Sequence, residues 1–389
     1  MTQIIGKDRK TAIVLFNLGG PDSVEAVQPF LFNLFNDKAI IGAPKFIRTP
    51  LAHLISRRRA KKKAIPIYNE MGGKSPILEN TYVQAAALEA ALSKHGEAKT
   101  FICMRYWHPM STEMVAKVKD YAPDHIILLP LYPQFSTTTT GSSVSDWQAQ
   151  ARKQKLNVPT TTLCCYPMQG GWIDALVDLI RPAYVQAAKH AAPRLLFSAH
   201  GLPEKIIAKG DPYQWQVEET TKAVIEKLSI PDLDAVNCYQ SRVGPLKWIG
   251  PNTEEVLIET ARRKQPIVLV PLAFVSEHSE TLVELDIEYK ELVAEHWGEA
   301  ARVESRESGV NEKLEKSSSP QLLPEGEGVS PLASRESLPY FRVPTVSVHP
   351  RFIEGLAELC LGLKIADRLC SERGGRMCPT PWKQCPHAA

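Results

Sequence analysis

The chain has 389 residues, 44% hydrophobic and 23% charged, with a formal net charge of +3. That length allows two domains of ordinary size with ample core, and the balance lacks the global basic excess of a nucleic-acid binder. No apolar run approaches the ~20 residues of a membrane-spanning helix. Met1 to Lys10 lacks the apolar core of a secretory signal, so a cytoplasmic location is expected. Eight cysteines in such a chain do not suggest a disulfide framework, although Cys360, Cys370, Cys378 and Cys385 all fall in the last thirty residues.

Thr11 to Leu18 has the pattern of a buried strand. Gly19-Gly20-Pro21 then permits a tight turn and close backbone approach, with a helix following toward Phe35. Ile40 to Lys63 is apolar first and basic after, with six cations between Arg57 and Lys63. Such a segment is either a surface helix with a solvated basic end or a surface that meets anionic head groups. Tyr68 leads to a second glycine turn, Gly72-Gly73-Lys74-Ser75-Pro76, which lacks the Walker A order, and then to a helix from Glu79 to Lys94. Strands are expected at Thr100 to Tyr106 and His125 to Leu131. They frame Arg105 and the loop from Tyr132 to Ser143, whose Ser/Thr run could be a long N-cap or an anion cradle. A helix through Trp147 follows, then one from Trp172 to His190, then a strand from Arg194 to Ser198 that delivers His200 to a loop.

Asp234 to Ser241 is the next strand, and Asn252 to Arg263 the next helix. Ile267 to Phe274 is apolar at strand length and turns at Ser276, the expected N-cap, into an acidic helix through Tyr289. Glu277, Glu280 and Glu284 are spaced to share one helix face, with His278 beside them. That grouping suits a divalent cation or a proton relay, against the alternative of a solvated acidic face. Ala301 to Arg335 is rich in Ser, Glu, Pro and Gly and has the composition of a disordered insert. Val343 to Val348 resumes as a strand, and Phe352 to Leu369 is amphipathic. Strands alternate with helices in both halves, and Leu129-Pro-Leu-Tyr132 echoes Val270-Pro-Leu-Ala273. The expected fold is therefore α/β: one lobe over 1–168 and another over 169–351, each a parallel sheet flanked by helices, with a cleft between them. A closing helix (352–369) and a cysteine-bearing tail (370–389) complete it.

Phe197-Ser-Ala-His-Gly-Leu-Pro203 resembles the signature loop of the ferrochelatase family, and Pro271 to Tyr289 resembles its acidic motif. Asn17-Leu-Gly-Gly-Pro21, Gly73-Lys-Ser-Pro-Ile77, Arg105-Tyr106, Tyr132-Pro-Gln134 with Thr140-Gly-Ser-Ser143, and Gln240-Ser-Arg-Val-Gly-Pro245 with Trp248 stand in the family's order. The resemblance covers about Thr11 to Leu369 apart from the insert. It implies Rossmann-like, chelatase-type lobes and a lyase that inserts ferrous iron, as a substrate, into protoporphyrin IX with loss of two protons. That is the last step of haem biosynthesis, and its chemistry requires no cofactor.

Carried onto this chain, the resemblance makes His200 an iron ligand or proton acceptor on one side of the ring. Glu280 is its carboxylate partner, contributed from the opposite lobe. Glu284 and Glu277 would relay iron or protons, and His278 would support Glu280. Leu18, Tyr68, Tyr132 and Trp248 would hold the ring, Arg105 would meet a propionate, and Ser75 is a further contact. Residues 40–63 match the family's membrane-contacting lip, implying peripheral contact with the inner face of a membrane. Some members carry a [2Fe-2S] cluster on C-terminal cysteines and one cysteine after Tyr-Pro-Gln. Here Thr137 stands at that loop position. The ligands left are Cys370, Cys378 and Cys385 with Cys360 or His387, the alternative being a tail of free thiols. A non-catalytic tetrapyrrole or iron binder, a sister chelatase acting on coproporphyrin, and a monomeric or homodimeric state all stay open at this level.

Overall fold

The apolar runs become strands, and in each half four of them form a parallel sheet. The computed structural model describes residues 2–242, 246–308 and 338–388, with 299–308 described by backbone alone. In the first half β1 (Lys10–Asn17), β2 (Glu97–Met104), β3 (His125–Pro130) and β4 (Thr160–Leu163) lie in the order β2-β1-β3-β4. In the second half β5 (Arg194–His200), β6 (Ala235–Gln240), β7 (Ile267–Pro271) and β8 (Tyr340–Arg342) repeat it as β6-β5-β7-β8. The two lobes thus share one topology. Each has a strand-order reversal beside its first strand, where open α/β sheets present ligand sites at their carboxyl ends.

The alternation of the strands sorts their side chains between two layers. Ile13 and Leu15 of β1 enter a core that also holds Phe197 of β5 and Val268 and Val270 of β7. Ala12, Val14 and Phe16 face the other way, onto Trp147. The shared core is filled by α4 (Ile77–Leu92), α7 (Gly170–Ala187), α9 (Tyr213–Leu228) and α12 (Pro350–Gly362). On the outer faces lie α5 (Ser111–Tyr121) and α6 (Thr140–Lys153) in the first lobe, and α10 (Thr253–Arg262) and α11 (Tyr289–Ser308) in the second. Beside the first sheet, α1 (Val27–Phe35), α2 (Lys45–Arg59) and α3 (Ile65–Glu70) build a projecting lip, with wide π turns over Ala60–Ala64 between the last two. The short α8 (Glu204–Ala208) follows β5.

Side-chain amides fasten the lobes together. From α4, Gln84 Nε2 donates to the carbonyls of Val275 (2.9 Å) and Ser347 (3.0 Å), and Asn80 Nδ2 donates to that of Glu277 (3.0 Å). On the other side Phe135 N–H donates to Gln216 Oε1 at 2.7 Å, and the buried Asp211 accepts from the Thr137 N–H at 2.8 Å.

Several boundaries differ from expectation. The acidic helix begins at Glu280, not Ser276, because the Glu277 carboxylate turns away to an arginine of β8. The last strand of the second sheet is Tyr340–Arg342, and Val343 to Val348 is irregular. The closing helix stops at Gly362, and the chain then extends to β9 (Leu369–Cys370), which pairs in parallel with β4 through Thr162 and Leu163. The tail therefore completes the edge of the first sheet. Of the expected insert, 301–308 continue α11, and 309–335 lie outside the described residues. No helix among the described residues is long and apolar enough to cross a membrane.

Candidate active site

His200 is the last residue of β5. Its Nδ1 lies 2.6 Å from the carbonyl oxygen of Gly201. A carbonyl can only accept, so Nδ1 carries the proton and the Nε2 lone pair is left exposed. Nε2 sits 4.0 Å from Glu280 Oε1. The backbone around the imidazole is tightly set. Tyr213 donates its hydroxyl to the His200 carbonyl at 3.0 Å. A Cβ on Gly201 would come within 3.0 Å of the Gln240 carbonyl oxygen and 3.2 Å of the Trp248 ring. Glycine is the residue that lets these three chain segments meet.

Glu280 opens a stretch of wide π turns, Glu280–Glu288, that runs on into α11. Its Oε2 is buried and accepts no hydrogen bond from a described residue. A buried carboxylate oxygen without a donor is costly unless a proton or cation comes to it. Glu284 is held from two sides: Oε2 accepts from Ser241 Oγ at 2.7 Å, and Oε1 accepts from the Tyr289 hydroxyl at 2.9 Å. Burial, and then the charge of Glu280, push the Glu284 pKa above its ordinary value, against the two hydroxyls and His200.

Both members of the His200–Glu280 pair follow strands of the second sheet, β5 and β7, which are neighbours. The expectation that they come from opposite lobes is therefore corrected. Strands that pair side by side deliver their carboxyl-end residues to the same wall. At 4.0 Å a flat macrocycle does not fit between them.

Glu277 does not share a face with Glu280 and Glu284, since it precedes the helix. Its Oε1 accepts from Arg342 Nη1 at 2.7 Å and from the Thr345 N–H at 2.9 Å. Burial alone would raise its pKa, but the Arg342 guanidinium and these hydrogen bonds outweigh it and hold the carboxyl below its ordinary value. A carboxylate kept ionised by a fixed cation is a poor relay. His278 is buried, with Nδ1 3.1 Å from the Ser276 carbonyl and its ring centroid 4.8 Å from that of Phe274.

From the first lobe, Tyr68 reaches the acidic motif. Burial pushes its phenol up to about 12, with the Ser279 hydroxyl acting against this and the Glu280 charge adding to it. Leu18 and Tyr68 belong to one apolar cluster with Phe30 and Tyr106 at the base of the lip. Trp248 stands on the second lobe with its ring centroid 6.4 Å from that of His200. Tyr132 packs instead with Phe16 and Trp147 on the far face of the first sheet. Arg105 is already engaged: Nη2 meets Asp37 Oδ2 at 3.0 Å and Nε donates to Ser142 Oγ at 2.7 Å. Ser75 is buried against Gly20, where it leaves no room for a Cβ.

The cysteines divide. Cys164 and Cys165, which follow β4, lie with their sulfurs 3.5 Å apart. Cys378 accepts from Gln216 Nε2 at 3.2 Å and shares a hydrogen bond with Cys385, which brings the Cys385 thiol down to about 6. The Cys165 and Cys378 sulfurs also act on one another electrostatically. Cys360 is fully buried in the shared core, and Cys370 lies in β9 with Asp367 beside its thiol.

The ferrochelatase family model matches residues 10–309. The chain is 47% identical over 382 residues to a ferrochelatase of Caulobacter vibrioides (strain NA1000 / CB15N), covering 97% of each chain. It is 53% identical over 287 residues to that of Pelagibacter ubique (strain HTCC1062), covering 73% of this chain and 82% of the relative. The chain belongs to the ferrochelatase family. Its activity is ferrochelatase activity, the lyase step of haem biosynthesis that inserts ferrous iron into a porphyrin. Against solved structures, SirB from Bacillus subtilis with Fe3+ gives a TM-score of 0.48 at 11% identity, covering 91% of this chain and 96% of that one.

Within this ferrochelatase frame, the fold brings together His200, Glu280, Glu284, Tyr68 and Trp248. It sends Glu277, Arg105 and Tyr132 to other partners. The residues that sequence reasoning missed are those that hold the candidate residues: Tyr213 on His200, Ser241 and Tyr289 on Glu284, and Asp37 on Arg105. Ser241 had a signal, lying between two motif residues, Gln240 and Arg242. The others are set by contacts across the fold.

Proposed function

We propose that His200 and Glu280 work as one unit on a single face of the porphyrin, receiving ferrous iron and taking up the displaced pyrrole protons. The observation that carries this is the free Nε2 lone pair 4.0 Å from a carboxylate whose other oxygen is buried without a donor. Imidazole nitrogen and carboxylate oxygen each approach a first-row cation to ~2.0–2.2 Å, so this separation lets both touch one ion. An imidazole nitrogen and a carboxylate are also the usual acceptors in proton transfer. Among the described residues no three His, Cys, Asp or Glu side chains form a closed metal site. That suits an ion in transit to porphyrin nitrogens.

Glu284 takes protons onward from Glu280. Its raised pKa makes it a better acceptor than an ordinary carboxylate, and Tyr289 and Ser241 keep it aimed. Trp248, with Tyr68 and Leu18 from the first lobe, borders the ring. Glu277 and His278 serve to fix the loop. Protoporphyrin IX, with two ionised propionates on an otherwise apolar ring, is the preferred substrate and is taken from a membrane surface. On the lip, Phe46 and Leu54 are 77% and 68% exposed, beside the cations Arg57 to Lys63. Apolar side chains followed by clustered cations match an anionic bilayer.

The thiols that would hold a [2Fe-2S] cluster are Cys164, Cys165, Cys378 and Cys385, in preference to Cys360 or Cys370, although among the described residues they do not form a closed metal site. The supporting observation is their proximity: the Cys164 and Cys165 sulfurs lie 3.5 Å apart, and Cys378 and Cys385 share a hydrogen bond that lowers the Cys385 thiol while raising that of Cys378. A cluster held by these thiols would tie the tail to the first lobe. The test of the substrate reading is zinc insertion followed by absorbance, with protoporphyrin IX and coproporphyrin compared. A faster rate with protoporphyrin IX is expected, and a clear preference for coproporphyrin overturns that choice.

A further inference from the structure

The stretch that carries Glu280 and Glu284 is wound in wide π turns, a rare geometry that displaces carbonyls from their usual intrahelical donors. Something outside the helix must hold it open. Besides Ser241, which meets Glu284, the side chains that reach it include two from β8, the short edge strand of the second sheet. Tyr340 and Arg342 are two residues apart, so they project from the same face of that strand, anchored by pairing with Ile267 and Leu269 of β7.

Tyr340 donates its hydroxyl to the carbonyl of Leu285, inside the wide turns, at 2.5 Å. Arg342 forms a fork on Asp286, with Nε to Oδ1 at 2.7 Å and Nη2 to Oδ2 at 2.5 Å. Its Nη1 meanwhile reaches back to Glu277 Oε1 at 2.7 Å. One guanidinium, 13% exposed, thus ties the residue before the helix to a residue two past Glu284. Glu280 and Glu284 lie on the span between the two tie points. Leu285, Tyr289 and Tyr340 pack together beneath it.

We infer that Arg342, with Tyr340, is a positioning residue for metal insertion: it sets the span that presents the Glu280 and Glu284 carboxylates to the cleft. The inference rests on the reading of those two acids given above. Only a planar fork can satisfy Asp286 and Glu277 at once, and an ammonium cannot. Tyr340 and Arg342 bind the span that bears the two acids, through Leu285, Asp286 and Glu277, so the effect is expected on the metal and not on porphyrin binding.

The test is steady-state zinc insertion into protoporphyrin IX by the full chain, with thermal unfolding measured alongside. Arg342→Lys and Arg342→Gln are expected to lower kcat at least tenfold and to raise KM for the metal, with KM for porphyrin within twofold of the parent. Tyr340→Phe, which loses one hydroxyl, is expected to move the same two parameters severalfold in a protein that folds normally. Full activity of Arg342→Lys would overturn the inference, because charge alone would then suffice. So would equal losses in metal and porphyrin parameters that track a loss of folded protein. Glu280→Gln in the same series separates the claims. An active Glu280→Gln removes the underlying reading, whereas an inactive one beside an active Arg342→Lys removes the clamp alone.

Discussion

Glu372 should make the docking of the C-terminal tail depend on pH. Its Oε2 accepts from the Met168 N–H at 3.0 Å, just before α7, while its own N–H donates to the Cys165 carbonyl at 3.1 Å. Burial pushes its pKa from 4.5 up to about 7, against the Met168 amide and Arg373. A folded-state value above the unfolded one means that the folded protein holds the proton more tightly. The resulting stabilisation is complete below pH 4.5 and is lost as pH rises through 7. A rise of that size corresponds to at most about 3–4 kcal/mol, and partial access to water brings the expectation to about 1–2 kcal/mol. Glu372→Gln keeps an oxygen for the Met168 amide and carries no charge at any pH. Urea unfolding at pH 5, 6, 7 and 8 should show the variant matching the parent at pH 5 and exceeding it at pH 8. Parallel curves for the two proteins across that range would refute the reasoning.

Gln84→Ala strips the donor from the buried Val275 carbonyl and the half-buried Ser347 carbonyl at the lobe interface, and at about 1–3 kcal/mol for a buried unsatisfied group and less for one that water can reach, urea unfolding should register a loss of about 2–4 kcal/mol. Replacing both Phe46 and Leu54 with serine removes apolar surface worth about 1.5–3 kcal/mol per side chain when fully buried. Co-sedimentation with anionic vesicles should fall at least tenfold, while turnover of detergent-solubilised porphyrin stays unchanged. Unaltered sedimentation would remove the lip from membrane contact. Cys165→Ser should abolish any thiolate–iron absorption of the isolated protein, whereas Cys370→Ser should preserve it. The reverse result would return Cys370 to the ligand set.

Local pattern revealed most of the fold, because the strands of the two central layers are buried on both faces and so appear as continuous apolar runs. Ile267–Pro271 and His125–Pro130 are examples. It missed Thr160–Leu163, where three threonines hide a four-residue strand, and Leu369–Cys370, which is a strand only because β4 offers an open edge. The helix start near Ser276 was misplaced for a comparable reason. Local capping rules apply when the acid has no better partner, and Arg342 lies 65 residues further along the chain. The proposed His200–Glu280 pair was legible because one residue ends β5 and the other opens the helical stretch that follows β7. Their common wall was not, since it depends on β5 and β7 being neighbours. Arg105 looked free for a propionate only because Asp37, 68 residues earlier, cannot be linked to it by spacing. Cys164 and Cys165 are an adjacent pair in the sequence, but what brings the tail beside them is β9 pairing with β4, which spacing does not reveal.

The central claim is that His200 and Glu280 act as a unit. A double-mutant cycle of His200→Ala and Glu280→Gln, read by zinc insertion into protoporphyrin IX, tests it most directly. Groups that share one ion or proton fail together, so each single variant should lose at least about a hundredfold in kcat and the double variant little more. Losses that multiply in the double variant, or a single variant that keeps near-parental kcat, would contradict the account.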